Sequence, residues 1–281
     1  MTNNQNILVV GGTGKTGSRV AARLAALGRT VRIGSRGGTP SFDWADPGTW
    51  ATTVEGVDAA YLSYYPDVSF PGAADVIGAF ARRAVEAGVG RLVLLSGRGE
   101  PDAEPAERAV RDAGAEWTVL RCAWFAQNFS EHFLLGPVLD GAIALPAGTV
   151  TEPFLDVEDV ADVAVIALTC DGHQSRTYEL TGPRLLGFAD AAAEVSAATG
   201  REVAYLPVTP AEYAAGAAAA GVPEEEIIPL TELFTRVLDG HNSHVSHDVE
   251  SVLGRPARDF ADYAARTART GVWPSRPAEI I

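Results

Sequence analysis

Lysine is almost missing from this 281-residue chain. Lys15 is the only one, so nearly all of the 22 basic side chains are arginine. A mechanism that needs a lysine amine must use Lys15 or be set aside. Cysteine is scarce as well: Cys122 and Cys170 make neither a disulfide framework nor a metal knuckle. No apolar run is long enough to span a bilayer, and no cationic start with an apolar segment opens the chain. A soluble, cytoplasmic protein with no membrane partner is therefore expected. Positive charge is in deficit, and a net charge of −14 argues against a nucleic-acid-binding surface. Apolar residues are not lacking. At 47% they can fill a full core, and the length suits one large α/β domain or a domain with a smaller cap.

The organising stretch runs from Asn6 to Gly17, Asn-Ile-Leu-Val-Val-Gly-Gly-Thr-Gly-Lys-Thr-Gly. Ile7 to Val10 is the apolar, β-branched signal of a buried parallel strand. It leads into Gly11, Gly14 and Gly17, after which Val20, Leu24 and Leu27 mark the inner face of a helix. Strand, glycine turn and helix together form the context of a dinucleotide fingerprint. Gly11 lets the chain turn, Gly14 lets the backbone approach a pyrophosphate, and Gly17 lets the helix sit close to the strand. The helix N-terminus offers N–H groups to phosphate.

A second absence is local. Between Gly17 and Asp43 there is no acidic residue, but there are Arg19, Arg23, Arg29, Arg32 and Arg36. The strand Thr30 to Ser35 ends where an adenosine ribose normally lies, and an NAD enzyme puts Asp or Glu there. Arginine forks suit a 2′-phosphate instead. NADP(H) is thus favoured over NAD(H), with Arg36 and the neighbouring Ser35 best placed. Arg19, Arg23 and Arg29 read more simply as solvated.

Further strands are expected at Asp58–Ser63 (the fourth in this count), Arg91–Ser96, Trp117–Arg121 and Thr177–Thr181. Helices are expected at Ala73–Ala87, Pro105–Gly114 and from Asp156, a plausible N-cap, to Leu168. This alternation implies a Rossmann-type, doubly wound parallel sheet. Residues 1–150 would form the nucleotide-binding domain, which also receives the helix and strand of 151–182. Later elements are a short strand at Ala142–Leu145, a helix at Phe188–Thr199, a strand at Val203–Val208 and a capping box at Thr209–Glu212. Two helical stretches follow, near Leu230–Leu238 and Phe260–Ala268. Residues 183–281 would be mainly a smaller, mostly helical C-terminal cap that binds substrate. His241, His244 and His247 share a spacing of three, but Gly240, Asn242 and Ser243 break the helix, and no metal site is expected.

Several segments resemble the atypical short-chain dehydrogenase/reductases of the NmrA-like type. Gly-Gly-Thr-Gly-Lys-Thr-Gly at 11–17 looks like the family's glycine loop. Val-Leu-Arg-Cys-Ala-Trp-Phe-Ala-Gln-Asn-Phe at 119–129 is similar to its Leu-Arg-Pro-x-x-Phe-x-x-Asn segment. Phe-Leu-Asp-Val-Glu-Asp-Val-Ala at 154–161, Tyr-Glu-Leu-Thr-Gly-Pro at 178–183 and Leu-Gly-Arg-Pro at 253–256 match later parts. The tryptophans around Phe42-Asp43-Trp44 look like the subgroup of the ergot alkaloid reductases and their bacterial relatives. By position, the resemblance implies that Gly11, Thr13, Gly14, Lys15, Thr16, Gly17 and Arg36 hold the phosphates. Asp43 and Trp44 would border the adenine. Tyr64, Ser96 and Cys122 would lie along the ribose–nicotinamide path. Tyr65, Trp124, Phe125 and Asn128 would face a small-molecule substrate. Tyr64, Ser96 and His132 are the candidates for proton transfer.

The chain departs from the wider superfamily in one decisive way. A Tyr-x-x-x-Lys dyad cannot exist, because Lys15 is the only lysine; Glu104–Arg108 occupies its segment. Cys122 also stands where the family usually has proline. Ketone reduction creates an alkoxide and benefits from a positioned acid, whereas an iminium or quinone accepts hydride without one. The expectation is an NADPH-dependent reductase of an imine, quinone or conjugated carbonyl, acting in secondary metabolism as a monomer or homodimer. The alternative is a protein of the NmrA type that senses NADP(H) without turnover.

Overall fold

The computed structural model describes residues 5–274, with the side chain of Glu226 left aside. The last seven residues of the expected cap lie outside this range. The first half alternates β1 (Asn6–Val10), α1 (Lys15–Ala26), β2 (Thr30–Gly34), α2 (Trp50–Val54), β3 (Ala59–Leu62), α3 (Ala73–Glu86), β4 (Arg91–Gly97), α4 (Glu104–Arg111) and β5 (Glu116–Cys122). Then come α5 (Asn128–Glu131), α6 (Leu135–Asp140), β6 (Ala142–Leu145), β7 (Thr151–Glu152), α7 (Val157–Thr169) and β8 (Arg176–Leu180). The chain continues through β9 (Leu186–Gly187), α8 (Phe188–Thr199), β10 (Ala204–Pro207), α9 (Pro210–Ala219), α10 (Glu224–Val237), α11 (Asp248–Leu253) and α12 (Phe260–Thr270).

Contacts divide the chain into two compact units. The first comprises Met1–Cys122, Val157–Leu180 and His247–Arg255. Its sheet is parallel throughout, in the order β2-β1-β3-β4-β5-β8. This is the Rossmann-like α/β sheet expected. Asp58–Ser63 supplies the third strand in the chain, not the fourth. The segment after β2 goes instead into a short bridge between Asp43 and Asp46, held by Asp and Thr side chains, and then into α2.

Strand alternation sorts the side chains of this unit by face. Leu8, Val10, Ala60, Leu62, Leu92, Leu94 and Val119 join Trp50, Ile77, Phe80 and Val110 of α2, α3 and α4 in one buried cluster. The opposite face takes Ile7, Val9, Ala59 and Tyr61, all fully buried, toward α1 and α7. Charge fastens that second layer. Arg19 donates to Glu158 at 2.6 Å, Arg23 bridges Glu158 and Asp162, and Arg255 holds the fully buried Asp159 at 2.7 Å. Arg19 and Arg23 are thus interhelical clamps rather than solvated side chains. Burial favours the neutral form of Glu158, but the hydrogen bonds from Arg23 and Arg19 outweigh it and hold the carboxyl below its ordinary range.

The second unit comprises Ala123–Asp156, Thr181–Ser246 and Pro256–Ile281. Its core is aromatic: Phe129, Phe154, Phe188 and Phe260 pack with ring centroids 5.2–6.3 Å apart, beside a fully buried Trp273. The strand expected at Ala142–Leu145 pairs in parallel with β10, and β7 pairs antiparallel with β9. Thr209 and Glu212 form the anticipated capping box around Pro210. α10 starts earlier than expected and carries Pro229 within it. Asp156 directly precedes α7, and its carboxylate accepts Gln127 Nε2 at 2.7 Å and Arg266.

Candidate functional site

Because β2 lies on one side of β1 and β3 on the other, the chain reverses its direction of winding at β1. In open α/β sheets, ligands bind beyond the carboxyl ends of strands at such a switch point. Gly11 sits there. Its φ of 72° is in the left-handed region, and a Cβ would stand 3.1 Å from Ser63 Cβ at the end of β3. Its N–H donates to Gly34 O of β2 at 2.9 Å, and its carbonyl receives the N–H of Gly14. Gly17 is under a tighter constraint. A Cβ would lie 2.2 Å from Gly11 O, a distance no side chain can occupy. The close approach of α1 to β1 therefore requires glycine at this position. Gly14 is the N-cap of α1 and is exposed, as is Thr13; Thr16 is buried in the first turn. The first turn holds no acidic residue of its own to oppose an anion at the helix dipole.

Past β2, Ser35 carries turn hydrogen bonds from Gly38 and Phe42 on its carbonyl. Arg32 is used structurally, donating to Thr53 O and Glu55 O at 2.7 Å at the end of α2. Arg36 is different: it is exposed, and its guanidinium makes no hydrogen bond or ion pair among the described residues. Of the arginines between Gly17 and Asp43, it is the one left at the loop for an anion. Asp43 makes a local turn, with its carboxylate accepting Ala45 N at 3.0 Å and its carbonyl accepting Trp50 Nε1 at 2.9 Å. Trp44 donates its indole N–H to Ser63 O at 3.1 Å and sits 5.1 Å from the Tyr64 ring. Arg36, Trp44 and Tyr64 are thus arranged around the ends of β2 and β3, while Tyr65 is 76% exposed.

Ser96 and Cys122 end the neighbouring strands β4 and β5, but on opposite faces. Ser96 is 3% exposed and donates to Glu107 Oε1 at 2.8 Å. The same carboxylate accepts Arg121 Nε and Nη2 at 2.8 and 2.7 Å, and Arg111 Nη2 at 2.8 Å. Glu107 comes from the segment where the superfamily dyad would stand, so a clamped carboxylate faces Ser96 in place of a phenol. Nothing in the sequence around Glu107 marks it as buried; only Arg121, in the Leu-Arg motif, hints at a partner. Cys122 lies on the α1 side, where burial pushes its thiol up and its Sγ–H points to Leu120 O at 3.6 Å.

The candidates of the second unit form a separate group. Trp124 is the hub of an aromatic cluster, with Phe133, Phe188 and Phe234 at 5.9–6.1 Å. Its indole nitrogen is buried with no hydrogen-bond acceptor. Phe125 bridges Leu155, and Asn128 begins α5. His132 is exposed, with its ring against Phe133. His241 pairs with Asp239, His247 lies 3.7 Å from Glu250, and the described residues contain no group of three or more His, Cys, Asp or Glu that could hold a metal ion. No described helix is long and apolar enough to cross a membrane.

No family model matches the chain. It is 32% identical to the uncharacterised oxidoreductase YesF of Bacillus subtilis over 98% of this chain and 99% of that one. It is also 32% identical to the NAD(P)H azoreductase of Xenophilus azovorans, covering 92% and 96%. The chain belongs to the atypical, NmrA-like short-chain dehydrogenase/reductases, a family of oxidoreductases. In fold it matches the NADPH-dependent quinone oxidoreductase of Escherichia coli solved with NADPH, with a TM-score of 0.76 at 22% identity over 92% and 99% of the two chains. Two family motifs acquire a physical meaning here: Arg255 of Leu-Gly-Arg-Pro holds Asp159 of the helix-opening signature, and Arg121 of Leu-Arg holds Glu107.

Proposed function

We propose that this protein is an NADPH-dependent reductase of a planar, already activated electrophile: an imine, a quinone or a conjugated carbonyl or azo group. The glycine loop and first turn of α1, Gly11 to Gly17, would take the pyrophosphate, and Arg36 with Ser35 the 2′-phosphate. The steric demand at Gly17 and the uncommitted Arg36 guanidinium support that fit. Asp43 and Trp44 would border the adenine, and Tyr64 the path beyond it. When bound, the coenzyme supplies a hydride.

The observation that carries the choice of electrophile is the engagement of Ser96. Its hydroxyl is already donated to Glu107, and Glu107 accepts from the guanidiniums of Arg111 and Arg121. Neither group is free to protonate an alkoxide, so an acceptor that needs no acid in the transition state is favoured. The aromatic group around Trp124 supports a flat substrate, and its unpaired indole N–H supports one bearing an acceptor atom. Orientation and binding would then supply most of the rate. The 32% identity to an azoreductase supports the same class.

Stopped-flow oxidation of NADPH with panels of iminium ions, quinones, azo compounds and simple ketones tests this. Turnover of the first three with ketones inert is expected. Reduction of simple ketones alone would overturn it, and tight NADPH binding with no acceptor oxidising it would point to a sensor.

A further inference from the structure

Tyr61 was legible only as a strand residue. It is fully buried on the α1 face of β3, beside Val9 of β1. Its hydroxyl makes no hydrogen bond. A buried hydroxyl without a partner is destabilising and rare in folded proteins. The Thr16 hydroxyl, in the first turn of α1, is close enough to interact with it. Thr16 thus lies close to Tyr61 but short of hydrogen-bond geometry.

Resting on the coenzyme reading above, we propose that Tyr61 is a positioning residue for the coenzyme's pyrophosphate and acts through Thr16. With a phosphate bound, the Thr16 side chain turns its Oγ1 within reach of the Tyr61 O–H, which then donates to it from beneath the loop. That leaves the Thr16 hydroxyl hydrogen only the outward direction, toward a phosphate oxygen. Phosphate binding and Tyr61 satisfaction are then one event: the anion fixes the Thr16 rotor, and the fixed rotor presents its lone pair to the phenol. Burial raises the Tyr61 phenol far above its ordinary range, so it stays a neutral donor rather than a charge opposing the phosphates.

Tyr61→Phe, Thr16→Val and the double variant, titrated with NADPH by calorimetry and melted without it, test the proposal. Tyr61→Phe is expected to bind NADPH roughly fivefold to tenfold more weakly. It should nevertheless melt at or above the wild-type temperature without coenzyme, because the orphan hydroxyl is gone. A purely structural role would not separate those two readings. The double variant should bind no more weakly than Thr16→Val alone, since the pathway runs through Thr16. Thr16→Ser keeps the hydroxyl and is expected to bind like wild type, which tests the route even if Tyr61→Phe fails to fold. Wild-type affinity in Tyr61→Phe, a Thr16→Ser variant as weak as Thr16→Val, or additive losses in the double variant would overturn the inference. A wild-type protein that binds no NADPH would instead overturn the coenzyme reading itself.

Discussion

At the scale of single residues, Gly17 and Arg36 bear the most weight. Gly17→Ala would drive a methyl group into the Gly11 carbonyl, so α1 must move off β1. A loss of about 3 kcal/mol in urea unfolding is expected, the upper part of the range for overpacked sites, together with loss of coenzyme binding. A variant with wild-type stability would mean that the loop has slack the close approach excludes. Arg36→Ala is expected to raise KM for NADPH roughly tenfold or more and to leave KM for NADH unchanged, because in the proposed site only the 2′-phosphate would meet the fork. Equal effects on both coenzymes would assign Arg36 to the loop's structure instead. The close approach at Gly17 was legible in its spacing, and the exposed cation at Arg36 in the absence of acid around it. Tyr61 and Glu107 were not. Nothing local tells that a strand phenol lacks a partner or that a helix carboxylate faces a sheet, since both facts depend on which elements stack.

Between elements, ion pairs form where the sequence suggested solvated arginines. The α1–α7 clamp joins Arg19 and Arg23 to Glu158 and Asp162, and these residues lie some 140 positions apart. No local pattern connects them. Glu158 titrates below its ordinary range in the fold, so it binds fewer protons than in the unfolded chain at mildly acid pH. Its contribution is present above the unfolded pKa and is lost as pH falls below about 4 toward the folded value. Glu158→Gln should therefore lower Tm at pH 7 and show a shallower further loss on acidification than wild type. Parallel pH–Tm curves for the two proteins would remove the clamp from the account. Glu107→Gln goes further, leaving Arg111 and Arg121 without their shared carboxylate. About 3 kcal/mol of stability should disappear in chemical unfolding, the low end for a broken buried pair because both guanidiniums reach solvent. Among the elements themselves, the regular βα units were read from periodicity alone. The short pieces α5, α6, α11, β7 and β9 were not, because tertiary packing rather than a hydrophobic period defines them.

For the whole molecule, one lysine among 22 basic residues shapes what the fold can do. Guanidiniums occupy the interhelical clamp, the Glu107 cluster and the Arg184 pairs with Asp259 and Glu194, positions where planar forks hold carboxylates with defined geometry. The only lysine, Lys15, opens α1 at the glycine loop, on the phosphate side of the proposed coenzyme site. The βα units that define the fold depend little on the substrate, which is why the first half of the chain was readable and the aromatic cluster around Trp124 was not. The most direct measurement is calorimetric titration of the protein with NADPH and, separately, NADH. Heat from a single NADPH site, with NADH roughly tenfold weaker or worse, is the result expected. No heat from either coenzyme, or a preference for NADH, would contradict the account.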